Sequence, residues 1–131
     1  MIMIDTDVLI WYLRGNMKAK VTIEKLSGFF ISVVTYMELV QGMRNKRELT
    51  LLRSALRKWN VKILFINEDI SAKAMFLVEQ HFLSNSLLLA DALIASTAIS
   101  NGLKLLTGNT KYYKIIKNIE LEGYKPQRNS T

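Results

Sequence analysis

The sequence of 131 residues contains no cysteine and a single histidine, His81. Without cysteine the chain can form neither a disulfide nor a thiolate metal site, and it has no thiolate nucleophile. One histidine also excludes a zinc site built from several imidazoles. Any metal ion that this protein binds must therefore be held by oxygen atoms, which favours Mg²⁺ or Mn²⁺ over Zn²⁺.

The sequence also lacks a long apolar run. The N-terminal apolar run covers residues 1–4 and is too short for a signal peptide. The longest apolar stretch, residues 87–99, contains a carboxylate and is too short to span a bilayer. Half of the residues are hydrophobic, which suits one domain with a buried core. We expect a soluble cytoplasmic protein, with one domain at residues 1–124 and a polar tail at residues 125–131.

Acidic residues are scarce relative to basic ones, at 11 against 18, and the net charge is +7. Such an excess can serve solubility alone. If several of the few carboxylates gather in one site, however, the rest of the surface becomes strongly basic. That distribution suits an enzyme of nucleic acid, because cations hold phosphates while carboxylates hold a metal ion.

Short apolar segments alternate with amphipathic ones along the chain. The apolar segments predict strands at residues 1–5, 29–33, 62–66 and 104–107, with a short fifth strand at 119–121. Helices are predicted at residues 6–13, 18–26, 35–44, 46–59, 67–82 and 88–101. This alternation indicates an α/β fold, a three-layer sandwich in which a mainly parallel sheet of four or five strands has helices on both faces.

Three carboxylates lie in apolar surroundings with no lysine or arginine within four residues: Asp5, Glu38 and Asp91. An unpaired buried carboxylate is costly, so such groups normally have a cationic partner or bind a metal ion. Ligands of parallel sheets bind at the carboxyl ends of the strands, and Asp5 and Glu38 follow two predicted strands. We therefore predict that the three carboxylates converge on one divalent metal ion.

Each of these positions also has a structural explanation. Asp5 can cap the helix that follows it, and Thr35 with Glu38 fits a capping box. Asp91 can lie in the first turn of its helix, where the helix dipole favours a carboxylate. Asn109 is typical of a turn, although its amide can also contribute an oxygen ligand.

A basic stripe on the helix predicted at residues 46–59 consists of Lys46, Arg53 and Arg57. It lies beside an apolar face formed by Leu49, Leu52, Leu56 and Trp59. Such a stripe is usually only solvated, and phosphate binding is the alternative function for it.

Four short motifs occur in order along the chain. They are MIDTDVLI at residues 3–10, SVVTYMEL at 32–39, LADALIA at 89–95 and LTGN at 106–109, the last followed by Tyr112 and Tyr113. Together they resemble the motifs of PIN-domain ribonucleases, and within that family those of the VapC-type toxins of prokaryotic toxin–antitoxin pairs. The resemblance covers residues 1–121.

This resemblance implies a PIN-like fold and a Mg²⁺- or Mn²⁺-dependent endoribonuclease toxin. It also implies a VapB-type antitoxin that holds the enzyme inactive, and a homodimer. The metal ligands map onto Asp5, Glu38 and Asp91. A fourth acidic position of many members falls near Asn109, where this chain has an amide, so a second metal ion is in doubt unless Asp7 compensates. The residues that would orient water or a phosphate oxygen are Thr6, Thr107 and Asn109. Those that would hold the RNA are Lys46, Arg53 and Arg57.

Two alternatives remain at this point. The segment around Asp5 also resembles the first motif of haloacid-dehalogenase-type phosphatases, in which Asp5 would be the nucleophile and Asp7 the acid. Thr107 suits the second motif of those enzymes, but the downstream lysine motif and acidic pair are missing. The other alternative is a non-catalytic PIN-like module that binds RNA, although retention of all three carboxylates argues against it.

Overall fold

The computed structural model describes residues 1–84 and 87–126 of the chain. Within them the strands are β1 (Ile2–Ile4), β2 (Phe29–Ser32), β3 (Val61–Leu64), β4 (Lys104–Thr107) and β5 (Leu121–Gly123). The helices are α1 (Thr6–Leu13), α2 (Met17–Glu24), α3 (Val33–Gln41), α4 (Lys46–Lys58), α5 (Glu68–His81), α6 (Leu89–Ser100) and α7 (Thr110–Tyr113). No helix in these two ranges is long and apolar enough to cross a membrane.

The strands form one sheet in the order β3-β2-β1-β4-β5, and every neighbouring pair is parallel. Central strand β1 aligns Met3 with Phe30 of β2 and with Leu105 of β4. The chain builds outward from β1 to β2 and β3 before it returns to β4 on the other side. The sheet therefore has a topological switch point between β1 and β4, where the carboxyl ends of parallel strands form a binding crevice.

Helices cover both faces of the sheet. Because successive side chains of a strand point to opposite faces, Met3 and Ile4 belong to different apolar clusters. The first cluster includes Leu9 of α1 and Leu52 of α4, and the second includes residues of α5, α6 and α7. The three-layer α/β architecture expected from the sequence is confirmed.

Most predicted elements are present, with bounds that differ from the predicted ones by up to three residues. Helix α3 begins at Val33 rather than Thr35, because the hydroxyl of Ser32 accepts the backbone N–H of Val34 at 3.1 Å and caps the helix there. Strand β5 begins at Leu121, two residues later than expected, and α7 was not predicted. The polar tail expected at residues 125–131 is described only for 125–126; residues 127–131 lie outside the described part of the chain, so this domain boundary stays a prediction.

Candidate active site

Asp5 lies at the switch point, between the end of β1 and the start of α1, and only 4% of its surface is exposed. Its Oδ1 accepts the backbone N–H of Thr6 at 2.8 Å, and its Oδ2 accepts the hydroxyl of Thr107 at 2.7 Å. The predicted helix cap is thus present. Burial, and then the negative charge of Asp7, nevertheless raise the pKa of Asp5 to about 7. The hydrogen bonds do not offset the loss of solvation, so the site favours an added positive charge.

Asp7 reaches from α1 to the loop after β4, where its Oδ2 accepts the backbone N–H of Gly108 at 2.9 Å. Its Oδ1 is buried without a hydrogen-bond partner. Burial raises the pKa of Asp7, and the negative charge of Asp91 adds to the effect. A Cβ atom on Gly108 would lie 2.5 Å from Asp7 Oδ2. An alanine here would force Asp7 or the loop to shift, and the reason is steric rather than an unusual φ angle.

Glu38 lies in the middle of α3, so the capping box that was the structural alternative for Thr35 and Glu38 does not form. Because Ser32 caps α3, Thr35 lies inside the helix and is not the cap residue to which Glu38 could bond back. Glu38 Oε1 instead accepts the hydroxyl of Thr6 at 2.7 Å, and that hydroxyl also lies 2.9 Å from the hydroxyl of Thr35. The carboxylate is exposed on one side and is tied on the other to the segment that carries Asp5.

Asp91 occupies the first turn of α6, where its Oδ2 accepts the backbone N–H of Leu88 at 3.1 Å. Its Oδ1 lies 3.4 Å from the hydroxyl of Tyr113. The same hydroxyl interacts with Asp5 and opposes the rise in the pKa of that carboxyl. Burial and the charges of Asp5 and Asp91 raise the pKa of Tyr113 above its ordinary value. One tyrosine hydroxyl therefore joins two carboxylates from distant parts of the chain.

Sequence reasoning assigned no role to Tyr113. The available signal was a pair of aromatic residues, Tyr112 and Tyr113, directly after the LTGN motif in a polar stretch. Of the two, Tyr113 is buried and Tyr112 is exposed.

Thr107 and Asn109 complete the loop after β4. Thr107 is fully buried, and its hydroxyl donates to Asp5 while it accepts the backbone N–H of Asn109 at 2.9 Å. Both capacities of this hydroxyl are used within the protein, so it orients Asp5. Asn109 stands at the start of α7, and its side chain forms no capping hydrogen bond. Its amide is thus available to the crevice.

The ion pairs found among the described residues join Arg44 to Glu48, Lys73 to Asp69 and Lys104 to Glu122. Both of the first two pairs join residues four apart; Asp69 and Lys73 lie within α5, whereas Arg44 precedes α4. None of the three involves a carboxylate at the switch point. The carboxylates of the site thus have no ion-paired lysine or arginine in the part of the chain that is described.

The donor set fits a hydrated Mg²⁺ or Mn²⁺ ion. In residues 1–84 and 87–126, no three acidic or histidine side chains are grouped tightly enough to hold one ion as they stand. Mg²⁺, however, usually takes one or two carboxylates and keeps several waters. Asp5 and Asp91, joined through Tyr113, offer such a pair, and the unpartnered Oδ1 of Asp7 offers an acceptor for a water beside it. Only oxygen ligands are present, as these ions prefer.

The basic stripe of Lys46, Arg53 and Arg57 is exposed on α4, while Leu52, Leu56 and Trp59 on the other side of this segment are buried. The predicted division of this helix into an apolar and a basic face is therefore confirmed. Arg53 Nε donates to the hydroxyl of Tyr36 at 3.4 Å, and Tyr36 lies on α3, the same helix as Glu38. A role of the stripe in RNA binding stays a prediction.

The model of the PIN domain family matches residues 2–118 of this chain. The chain belongs to the PIN-domain family. It is 32% identical to "Ribonuclease VapC10" of Mycobacterium tuberculosis, over 97% of this chain and 99% of that protein. Its structure is similar to that of VapBC-1 from nontypeable Haemophilus influenzae, with a TM-score of 0.75 and 27% identity over 94% of this chain and 98% of that one. A second structure with the same fold is that of VapBC2 from Rickettsia felis bound to a promoter DNA fragment. The TM-score is 0.78 and the identity 23%, over 95% of this chain and 100% of that one.

Membership in the PIN family contradicts the haloacid-dehalogenase alternative, since the match covers most of the chain. The phosphatase alternative rested on the short segment around Asp5, which in this chain is the end of β1 and the start of α1.

Proposed function

We propose that this protein is a VapC-type toxin, an endoribonuclease that hydrolyses RNA phosphodiester bonds with Mg²⁺ or Mn²⁺. The observation that carries the proposal is the pairing of two carboxylates, Asp5 and Asp91, around one buried hydroxyl at the switch point of the sheet. The ribonuclease relative matched over nearly its whole length supports RNA as the substrate.

Asp5 and Asp91 would hold the metal ion, with Glu38 acting directly or through water. When bound, a divalent ion supplies a Lewis acid for a phosphoryl oxygen and lowers the pKa of a water at the site. The chain provides the orientation of the ligands: Thr107 and Thr6 fix Asp5, and the Thr6 hydroxyl also restrains Glu38. No protein nucleophile is required, because water attacks the phosphorus atom in line with the leaving oxygen. Asn109 would orient water or a phosphate oxygen, and its side chain makes no capping hydrogen bond that would compete with this role.

Substitution of Asp5 or Asp91 by asparagine tests this function. We expect each variant to lose metal-dependent RNA cleavage and to retain most of its affinity for RNA, because carboxylates repel phosphate while basic residues hold it. Cleavage and binding are measured on the same RNA with Mg²⁺ or Mn²⁺. The matched control is Asp69→Asn, which removes an exposed carboxylate on α5 that pairs with Lys73. Normal turnover by either site variant would refute the assignment, and binding without metal-dependent cleavage by the parent would indicate a non-catalytic RNA-binding module.

We also propose a VapB-type antitoxin as partner, in line with the VapBC assembly named for the structural neighbour. A groove of about 710 Å³ between the ends of α1, α3 and the side of α4 supports a protein partner. Its lining includes the apolar residues Leu13, Met43 and Leu51 and the basic residues Arg14 and Arg44. Recovery of the protein from its host as a free, active monomer would contradict this partner.

A homodimer is the second partner proposal. It is supported by large apolar side chains exposed around α5, namely Phe65, Met75, Phe76, Phe82 and Leu83. A second copy that covered them would remove an apolar surface from water. Light scattering on the purified protein tests it, and a monomer at all accessible concentrations would contradict it.

A further inference from the structure

The burial of Tyr113 is not explained by its aromatic ring alone. The ring belongs to an apolar cluster that includes Ala92 and Ala95 of α6 and Leu105 of β4, and only 1% of the residue is exposed. A phenylalanine would fill the same space. The hydroxyl is the feature that remains to be explained, because a buried tyrosine oxygen normally has a hydrogen-bond partner.

The partners of this hydroxyl are the two carboxylates proposed to hold the metal ion. It lies 3.4 Å from Asp91 Oδ1 and also interacts with Asp5. Each carboxylate is fixed elsewhere by a separate group: Asp91 by the N–H of Leu88, and Asp5 by Thr107 and its neighbouring backbone. The tyrosine hydroxyl thus links the two carboxylates.

We propose that Tyr113 is a positioning residue, which sets the spacing and orientation of Asp5 and Asp91 for a divalent metal ion. The inference rests on the proposed metal-dependent function and extends it to α7. A neutral tyrosine has one O–H to donate, and two carboxylates that compete for it are held near the same oxygen. Without this donor, their like charges favour rotation away from each other.

Tyr113→Phe isolates the hydroxyl, because the ring and its packing remain. The readout is the Kd of the folded protein for Mn²⁺ alone, measured by calorimetry without RNA. Loss of a hydrogen bond to a metal ligand typically weakens metal binding by about 10–100-fold, and we expect a change in that range. The matched control is Tyr124→Phe, since Tyr124 is also buried but donates to Asn16 Oδ1 at 2.6 Å. We expect the control to bind Mn²⁺ as the parent does.

The outcomes separate this role from the function on which it rests. If the parent binds Mn²⁺ and Tyr113→Phe binds it equally well or more tightly, Tyr113 only fills the core, and the metal-dependent function stands. Equal weakening by both tyrosine variants would also overturn the role, because the effect would then be general to buried hydroxyls. If the parent binds neither Mn²⁺ nor Mg²⁺, the metal-dependent function and the role of Tyr113 fall together.

A second measurement does not depend on the stability of the variant. Addition of Mg²⁺ to the parent should change the near-ultraviolet difference spectrum of tyrosine, because the charge beside the Tyr113 hydroxyl changes. Tyr124→Phe should retain this change. An unchanged spectrum in a parent that demonstrably binds Mg²⁺ would contradict the proposed contact.

Discussion

Asp5 combines a local role and a long-range role in one carboxylate. Locally it caps α1 through the N–H of Thr6, as an aspartate before a helix commonly does. At long range it meets Thr107 of β4 and the charge of Asp7, in a place that water scarcely reaches. The cap contributes on the order of 1 kcal/mol. Desolvation of the charged form opposes it, as the raised pKa of Asp5 records.

The pKa of Asp5 predicts how the stability of the metal-free protein depends on pH. It rises from 3.8 to about 7 on folding, so the folded state holds this proton more tightly. This contribution to stability is complete below about pH 4 and is lost as the pH rises through 7. We expect the free energy of unfolding in chelator to fall by roughly 3 kcal/mol between pH 5 and pH 8 from this group.

Asp5→Asn cannot ionise and should remove most of that dependence, whereas Asp69→Asn should keep it. Denaturant unfolding at the two pH values measures both. If the parent and Asp5→Asn respond equally to pH, the burial of the carboxylate does not control its ionisation.

Gly108 leads to a second prediction at this scale. In Gly108→Ala the added Cβ would stand 2.5 Å from Asp7 Oδ2, so either the loop or the carboxylate must move. We expect a loss of about 1–3 kcal/mol in stability and a weaker response to Mn²⁺. Gly123→Ala is the control, because its Cβ would meet Thr110 Cγ2 at an ordinary 3.6 Å. Thermal melts with chelator and with metal compare the two, and equal behaviour would show that the loop adapts freely.

At the scale of elements, strands and long helices could be predicted because their signals are local. The bounds of α1 and β4 agree with the sequence pattern, and the apolar face of α4 includes the buried Leu52 and Leu56. The start of α3 could not be decided locally, since Ser32 and Thr35 are both good capping residues. The sheet selects Ser32 by ending β2 there.

The candidate site could be predicted in its residue types but not in its connections. An unpaired carboxylate in an apolar segment is visible in the sequence, as for Asp5. The short helix α7 is not, because four residues carry too little periodicity, and its place depends on Tyr113 entering a core built by α6 and β4. The roles of Thr6 and Thr107 likewise follow only from contacts across the fold.

The basic stripe on α4 leads to a prediction about RNA binding by this helix. If Lys46, Arg53 and Arg57 contact single-stranded RNA, charge reversal of two of them should flatten the salt dependence of binding, by about 0.7 log-log units per lost phosphate contact. Reversal of Lys20 and Lys25, which are exposed on or beside α2, changes net charge by a comparable amount and is the control. Equal slopes in the two double variants would mean that only net charge matters, and an unchanged slope would mean that the stripe is merely solvated.

At the scale of the whole molecule, the chain combines a positive net charge with a crevice that gathers acidic groups. The chain carries +7 overall, yet none of the ion pairs in its described part involves Asp5, Asp7, Glu38 or Asp91. Repulsion and desolvation at the crevice therefore oppose folding when no metal ion is present. This cost is tolerable if the working state of the protein is the metal-bound one.

The free energy of unfolding should consequently increase when a metal ion binds. In the metal-free protein it should also increase when a carboxylate is removed from the site. Mn²⁺ that binds only the folded state stabilises it by about 2.7 kcal/mol at a hundred times its Kd. Asp91→Asn should raise the melting temperature of the metal-free protein and lose most of the gain on addition of Mn²⁺. Asparagine keeps an oxygen that can accept the N–H of Leu88, so the start of α6 is preserved while the charge is removed. Thermal melts of both proteins in chelator and in Mn²⁺ measure these effects. A variant that melts lower without metal, and gains as much from Mn²⁺ as the parent, would identify Asp91 as a helix-start residue and remove it from the site.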